Sequence, residues 1–340
     1  MLPALAPPPR PLDQRLLRID PQLGTWSSSH VRDLPSQLRS GDLLVVNDAA
    51  TLPASLHGTD ARGHVIEIRL LEAPREAMAR AVLFGEGDWR TPTEHRPAPP
   101  ELRLGDVLTL GPLVARVEAI DARHTRLLTL RFEMPDDALW AALYRQGHAI
   151  QYSYLRAPLA LWDVQTSHAA RPWAVEMPSA GRPLTWELLL ALRQHGVHVA
   201  FLTHAAGLSS TGDAELDAAL PLRERYEIPT STVDAIARTQ REGGRVIAVG
   251  TSVVRALEGC ALTNDALVVG AGETELHIGP GFRPQIVHGL YTGMHEPTAS
   301  HFALLQAFAS AELIRSAYAR AEAEGYRGHE FGDSNLILAD

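Results

Sequence analysis

Three short segments of this 340-residue chain hold residue types at spacings that could carry chemistry. The first is Gly243 to Glu258, Gly-Gly-Arg-Val-Ile-Ala-Val-Gly-Thr-Ser-Val-Val-Arg-Ala-Leu-Glu. It sets Gly250, Thr251 and Ser252 at a turn from an apolar strand into a helix. The first amides of a helix have no intrahelical acceptor, so such a junction suits a carboxylate or phosphate, with two hydroxyls beside it. A capped junction without a ligand fits the same spacing. Arg255 falls one turn into the helix, where it serves equally as a ligand contact or as half of an ion pair. The second segment is Met177-Pro178-Ser179-Ala180-Gly181, whose small residues leave the backbone open to close approach. A plain loop has the same composition.

The third segment, Thr292-Gly-Met-His295-Glu296-Pro-Thr-Ala-Ser-His301, looks like a zinc-hydrolase helix until its spacing is counted. That chemistry needs histidines at i and i+4 on one helical face. Here the second histidine lies six residues on and Pro297 interrupts the helix, so the zinc reading fails. A histidine just before a helix remains well placed as an acid, base or donor, which makes His295 a catalytic candidate. With 15 histidines in the chain, a lone one is as readily structural. His195, His198 and His204 read as structural, since no carboxylate partner is evident; His204 stands apart because it ends its strand. Asp333, in Phe331-Gly-Asp-Ser334, fits either a turn or an acid at a sheet edge.

The elements that must position these residues follow from apolar patterning. Asp42-Leu-Leu-Val-Val-Asn47, after Ser40-Gly41, reads as a buried strand. Between about Pro53 and Glu133, short β-rich runs recur at Val65 to Leu71, Ala79 to Phe84, Asp106 to Leu110, Leu113 to Ile120 and Arg126 to Phe132. Turn clusters separate them and no helix intervenes, which predicts a small antiparallel barrel. From about Pro135, helices alternate with strands. Asp136 or Asp137 can cap a helix through Leu143, Thr185 caps Trp186 to Gln194, and Ser231 with Asp234 resembles a capping box. Strands are expected at Val197 to Thr203 and Arg245 to Val249, and helices at Ser252 to Cys260 and, as a final pair, across about Thr298 to Glu324. An extended run at Asn335 to Leu338 closes the chain. The predicted fold is α/β: a mainly parallel sheet flanked by helices (1–52 and 135–340), with an inserted antiparallel β-barrel domain (53–134).

Composition narrows the function classes. The net charge of -9 opposes a generally basic nucleic-acid binder, though it leaves room for a local basic patch. All 31 basic residues are arginine, which removes Walker-type phosphate loops and Schiff-base chemistry. The single cysteine, Cys260, excludes an internal disulfide and a cysteine metal cage. No run reaches the ~18 apolar residues of a membrane span, and Met1 to Pro11 does not read as a secretory signal. A cytoplasmic protein without membrane association is expected, as a monomer or homodimer.

In their order along the chain, these segments resemble the S-adenosylmethionine:tRNA ribosyltransferase-isomerases of queuosine biosynthesis. Ser40 to Asn47 with Pro53-Ala54, Gln165-Thr166, Pro178-Ser-Ala-Gly181, Val246 to Glu258, Pro280-Gly-Phe282, Leu290-Tyr-Thr292 with His295 and Pro297, and Tyr326-Arg327 with Gly332-Asp333 carry the likeness. It implies an α/β domain with an inserted barrel, and S-adenosylmethionine as co-substrate with no metal. It also implies ribosyl transfer to 7-aminomethyl-7-deazaguanine in tRNA, forming epoxyqueuosine. On that reading Gly250, Thr251, Ser252, Arg255 and Pro178, Ser179, Ala180, Gly181 hold the cofactor, with His295 as acid/base, followed by Glu224 and Asp333. The chain departs from the family pattern at Gly147-His148-Ala-Ile-Gln-Tyr-Ser-Tyr154, at His204 to Thr211, at Ala219 and Leu222, and at Ala50 and Ser55. These departures, with the acidic charge, admit a second reading, ribosyl transfer to a small-molecule amine; the expected barrel admits a third, a non-catalytic RNA-binding protein.

Overall fold

The computed structural model describes residues 1–296 and 300–339. Pro297 and Thr298, invoked above, lie outside the described residues, as does the side chain of Ser300. A nine-stranded sheet forms the body, in the order Gly270–Thr274, Glu224–Ile228, His198–His204, Leu43–Asn47, Val246–Val249, Gly289–Gly293, Ser334–Ile337, Arg15–Asp20, Thr25–His30. The four strands from His198–His204 to Gly289–Gly293 run parallel, as expected for strands joined through helices. Antiparallel pairings extend the sheet on both sides, so the whole is mixed.

The central strands are apolar on both faces because both faces are covered. Leu43 and Val45 join Val246 and Ala248 in one core, beneath the helix Thr251–Asn264 and the helix Ala311–Ala323. Leu44 and Val46 join Ile247 and Val249 in the opposite core, with Leu188 and Leu192 of the helix Trp186–Gln194. Successive side chains thus serve opposite layers, the two-residue period of a strand.

Six antiparallel strands close into a barrel: Leu127–Phe132, Met78–Phe84, Val65–Leu70, Ser55–Asp60, Val107–Leu110 and Leu113–Ile120. The strand Ser55–Asp60 was not evident in sequence, because His57, Gly58 and Asp60 interrupt its apolar pattern. Gly58 is the reason closure is possible: a methyl there would sit 2.0 Å from the Thr109 carbonyl oxygen.

Local capping differs from expectation in two places. The helix Thr230–Arg241 begins after Pro229, which places Ser231 inside it rather than at its cap. The helix Asp136–Gln146 begins after Pro135, and the Asp136 carboxylate accepts instead from the amides of Glu76 and Ala77, at 3.2 and 2.6 Å. Thr185 does cap its helix, accepting from the Leu188 amide at 3.3 Å.

Candidate active site

The carboxyl ends of the parallel strands bring the candidates to one edge of the sheet, the usual ligand position in open α/β sheets. Gly250 follows Val246–Val249 with φ +91, in the left-handed region that favours glycine, and its amide donates to the Tyr291 carbonyl at 2.8 Å. A methyl on Gly250 would lie 3.3 Å from the Ala180 side chain, so the Pro178–Gly181 loop packs against this turn. Behind that loop, a methyl on Gly181 would meet His168 Nε2 at 3.1 Å. Thr251 and Ser252 are buried at the start of the helix Thr251–Asn264, whose first amides have no side-chain cap. The segments singled out as cofactor contacts are therefore neighbours.

Arg255, one turn on, turns towards the sheet. Its Nε and Nη2 donate to Glu224 Oε2 at 3.0 and 2.7 Å, and the Gly207 amide donates to Oε1 at 3.0 Å. His204 Nε2 lies 3.4 Å from the same Glu224 oxygen without hydrogen-bond alignment. The end of its strand is clamped by Asn47, whose amide side chain exchanges two 2.9 Å bonds with the His204 backbone. Burial pushes the Glu224 carboxyl up, but the Arg255 charge, His204 and the Gly207 amide outweigh it and hold it below its ordinary value. The carboxylate that His204 lacked in sequence is thus Glu224, on the neighbouring antiparallel strand.

His295 emerges after Gly289–Gly293, its Nε2 2.9 Å from the Thr292 hydroxyl. Its ring stacks on that of His301, with centroids 5.1 Å apart and planes 17° off parallel. His301 in turn feels both Arg255 and Glu224, which ties the histidine loop to the charge pair. Burial, with His301 and His329, drives His295 well below the usual histidine value, and burial with Arg255 lowers His301 to about 4 against the opposing Glu224. These rings are neutral imidazoles at neutral pH. Next along, Glu296 pairs with His329 at 3.3 Å, and the His329 ring lies 4.3 Å from Tyr154.

Asp333 holds this region together by a different route from that of a free acid. Its two carboxylate oxygens accept from the backbone amides of Arg15 and Arg327, at 2.7 and 2.8 Å, while its carbonyl accepts from Met294 at 3.2 Å. Sequence reasoning passed over His301 as a partner for His295 and His329 entirely, and met Tyr154 only as part of a departure from the family pattern; only the zinc-like pattern pointed at His301.

Buried neutral histidines make stability pH-dependent. Burial lowers His168, His204 and His301 to about 4 in the fold, from the ordinary histidine value of about 6.5. The unfolded chain then takes up protons first as pH falls, so stability is intact above about 6.5 and is lost between there and about 4. The thermal midpoint should decline steadily through that window. A midpoint that stays level from about pH 7 to about pH 5 would mean these rings are protonated in the fold.

Comparison with known proteins gives the family. The family model described as "Queuosine biosynthesis protein" matches residues 1–337. The S-adenosylmethionine:tRNA ribosyltransferase-isomerase of Gloeobacter violaceus is 38% identical, over 97% of this chain and 91% of its own length. That of Thermus thermophilus is 35% identical, over 96% and 94%. The crystal structure of S-adenosylmethionine tRNA ribosyltransferase from Thermotoga maritima aligns over 99% of this chain and 96% of that one, with a TM-score of 0.54 and 26% identity. With a family model matching residues 1–337, relatives matched over more than nine-tenths of both chains, and a solved structure aligning over 99% of this one, this chain belongs to the queuosine biosynthesis protein family.

Proposed function

We infer that this chain transfers and isomerises the ribosyl moiety of S-adenosylmethionine onto 7-aminomethyl-7-deazaguanine in tRNA, giving epoxyqueuosine and releasing adenine and methionine. The observation that carries the reading is the packing of the Gly250 turn against the Pro178–Gly181 loop and its hydrogen bond to Tyr291, on the strand that leads into His295. The whole-length likeness to enzymes of that name supports it.

The chemistry asks for a base for the proton beside the sulfonium, a donor for departing adenine, and an anchor for the methionine end. The open amides at Thr251 and Ser252 suit the methionine carboxylate. His295 is the acid/base group of the proposal, and its neutrality matters, since an imidazolium there would repel the sulfonium. Glu224 neutralises Arg255 and orders the Gly207 turn, and Asp333 positions the loop carrying His295. Proton transfer falls to side chains, with no metal ion required.

Among the described residues no helix is long and apolar enough to cross a membrane. The proposed setting is cytoplasmic, with residues 1–52 and 135–340 as the α/β unit and 53–134 as the inserted barrel. Purified protein should release adenine from S-adenosylmethionine when given tRNA carrying the aminomethyl-deazaguanine, and little without it. Equal release with free amines in place of tRNA would move the activity to a small-molecule acceptor. Salt-sensitive RNA binding with no adenine release would remove the enzyme assignment.

A further inference from the structure

A cavity of about 300 Å³ opens at the barrel mouth, between barrel strands and the segments 148–151 and 158–159. Its volume is at the lower end for small-ligand sites, the scale of one nucleobase rather than a whole nucleotide. Glu67 forms its floor, a carboxylate already committed: it accepts from the Ser55 hydroxyl at 2.7 Å, from Arg69 Nε at 2.7 Å, and from Arg96. Burial pushes Glu67 up, yet the two arginines lower it to about 2, so it stays ionised.

Arg69 is 2% exposed and fixed over the Phe84 ring at 4.4 Å. Its Nη1 has no hydrogen-bond partner among the described residues, leaving a buried donor in a cavity wall. The lining also includes Asp88, whose carboxylate accepts from Arg90, then Trp89, and the His57 and His148 rings, 6.0 Å apart.

This mixture discriminates between ligand classes. A phosphate needs donors alone, and here two carboxylates line the cavity, Glu67 paired with Arg69 and Arg96, and Asp88 paired with Arg90. A guanine-like ring presents a carbonyl acceptor next to N–H donors on a stackable plane. Arg69 offers a donor for the first, the Asp88 carboxylate matches the second, and the Trp89 ring suits the plane. The cavity is also joined to the histidine loop. The Arg69 guanidinium lies 5.8 Å from the Tyr152 ring, Tyr152 stacks on Tyr154 at 6.3 Å, and Tyr154 contacts His329, the partner of Glu296 beside His295.

We propose that this cavity receives the acceptor nucleobase, a guanine-like ring extruded from its RNA strand, with Arg69 on its carbonyl, Asp88 on its N–H edge and Trp89 against its face. The assignment rests on the ribosyl-transfer reading above for the identity of the base.

The test uses the full-length protein, an anticodon stem-loop RNA carrying 7-aminomethyl-7-deazaguanine, and two variants, Arg69→Met and Trp89→Ala. Arg69 is buried, so its variant could fail to fold; Trp89 is only half-buried on a loop, and Trp89→Ala keeps the test decisive. Calorimetry should show stem-loop affinity falling at least about tenfold in each folded variant. Affinity for S-adenosylmethionine alone should stay within about twofold of the parent. Unchanged stem-loop binding in Trp89→Ala overturns the proposal, as does a parent protein that does not bind the stem-loop. A parallel loss of S-adenosylmethionine affinity also overturns it, by making the cavity part of the cofactor site. If the parent binds the stem-loop through these residues yet releases no adenine, the cavity assignment stands and the ribosyl-transfer reading falls.

Discussion

Arg255→Met is expected to destabilise the protein by about 3–5 kcal/mol, because it strands the buried Glu224 carboxylate without its charge partner. Glu224 and Arg255 are 6% and 7% exposed, and both guanidinium contacts fall on one Glu224 oxygen, leaving little water to take over. Replacing both partners, as Glu224→Leu with Arg255→Met, should recover most of the lost stability, since a buried ion pair exchanged for apolar groups of similar volume is often neutral. Turnover should not recover. The pair also orders the Gly207 amide and sets the environment of His204 and His301, and displacement of a site by about 1 Å costs about 100-fold in rate. Denaturant melts of the two singles and the double, run beside adenine release, separate these effects. A double variant with restored turnover would show that the pair is structural only.

His295→Ala should lower the turnover number by about 10²- to 10⁴-fold, the range for losing a positioned acid or base, with little change in S-adenosylmethionine affinity. His295→Gln should lose as much, because it can keep the Thr292 contact but cannot carry the proton. The pH profile makes the prediction sharper. Burial and the neighbouring His301 and His329 hold His295 well below the usual histidine range, so its neutral fraction is complete at neutral pH and stays complete well below about 6.5. The parent turnover number should therefore be level from about pH 8 to about pH 6 as far as His295 is concerned. Its acid limb, attributable by its absence of any counterpart in the residual His295→Ala rate, should lie lower. A limb near the ordinary histidine value, or a variant with undiminished turnover, would remove His295 from the chemistry.

The departures from the family pattern look scattered in the chain, but in the fold several share a place. Ser55, His148 and Gln151 all line the barrel-mouth cavity, and Tyr152 and Tyr154 bridge it to His329. Ser55 also sits directly opposite Arg69 in the antiparallel register, so the strand pair that carries the departure carries a guanidinium as well. What reads as erosion of an acceptor segment is, in space, the wall of one pocket.

Local patterning was enough to determine the central strands, the strand-to-helix turn at Gly250 and the existence of a β-rich insertion. Leu43 to Val46 alternate between two cores, and a positive-φ glycine before Thr251 marks the junction without knowledge of any distant residue. Tertiary structure decided the rest. Glu224–Ile228 and Ser55–Asp60 were invisible as strands because buried Glu224 and Asp60, and unbranched Gly58, contradict an apolar period. Glu224 tolerates burial because Arg255, 31 residues away, neutralises it, and Gly58 belongs there because Thr109 crosses against it. The same holds for the site. Residue type named His295 and Ser252 as candidates, whereas the start of the next helix, Ser300–Leu305, stacked His301 on His295, and pairing across the sheet gave His204 its carboxylate. For Glu224 with Arg255 and for Gly58 with Thr109, charge compensation and close approach act between residues far apart in sequence, and no short window along the chain contains both partners.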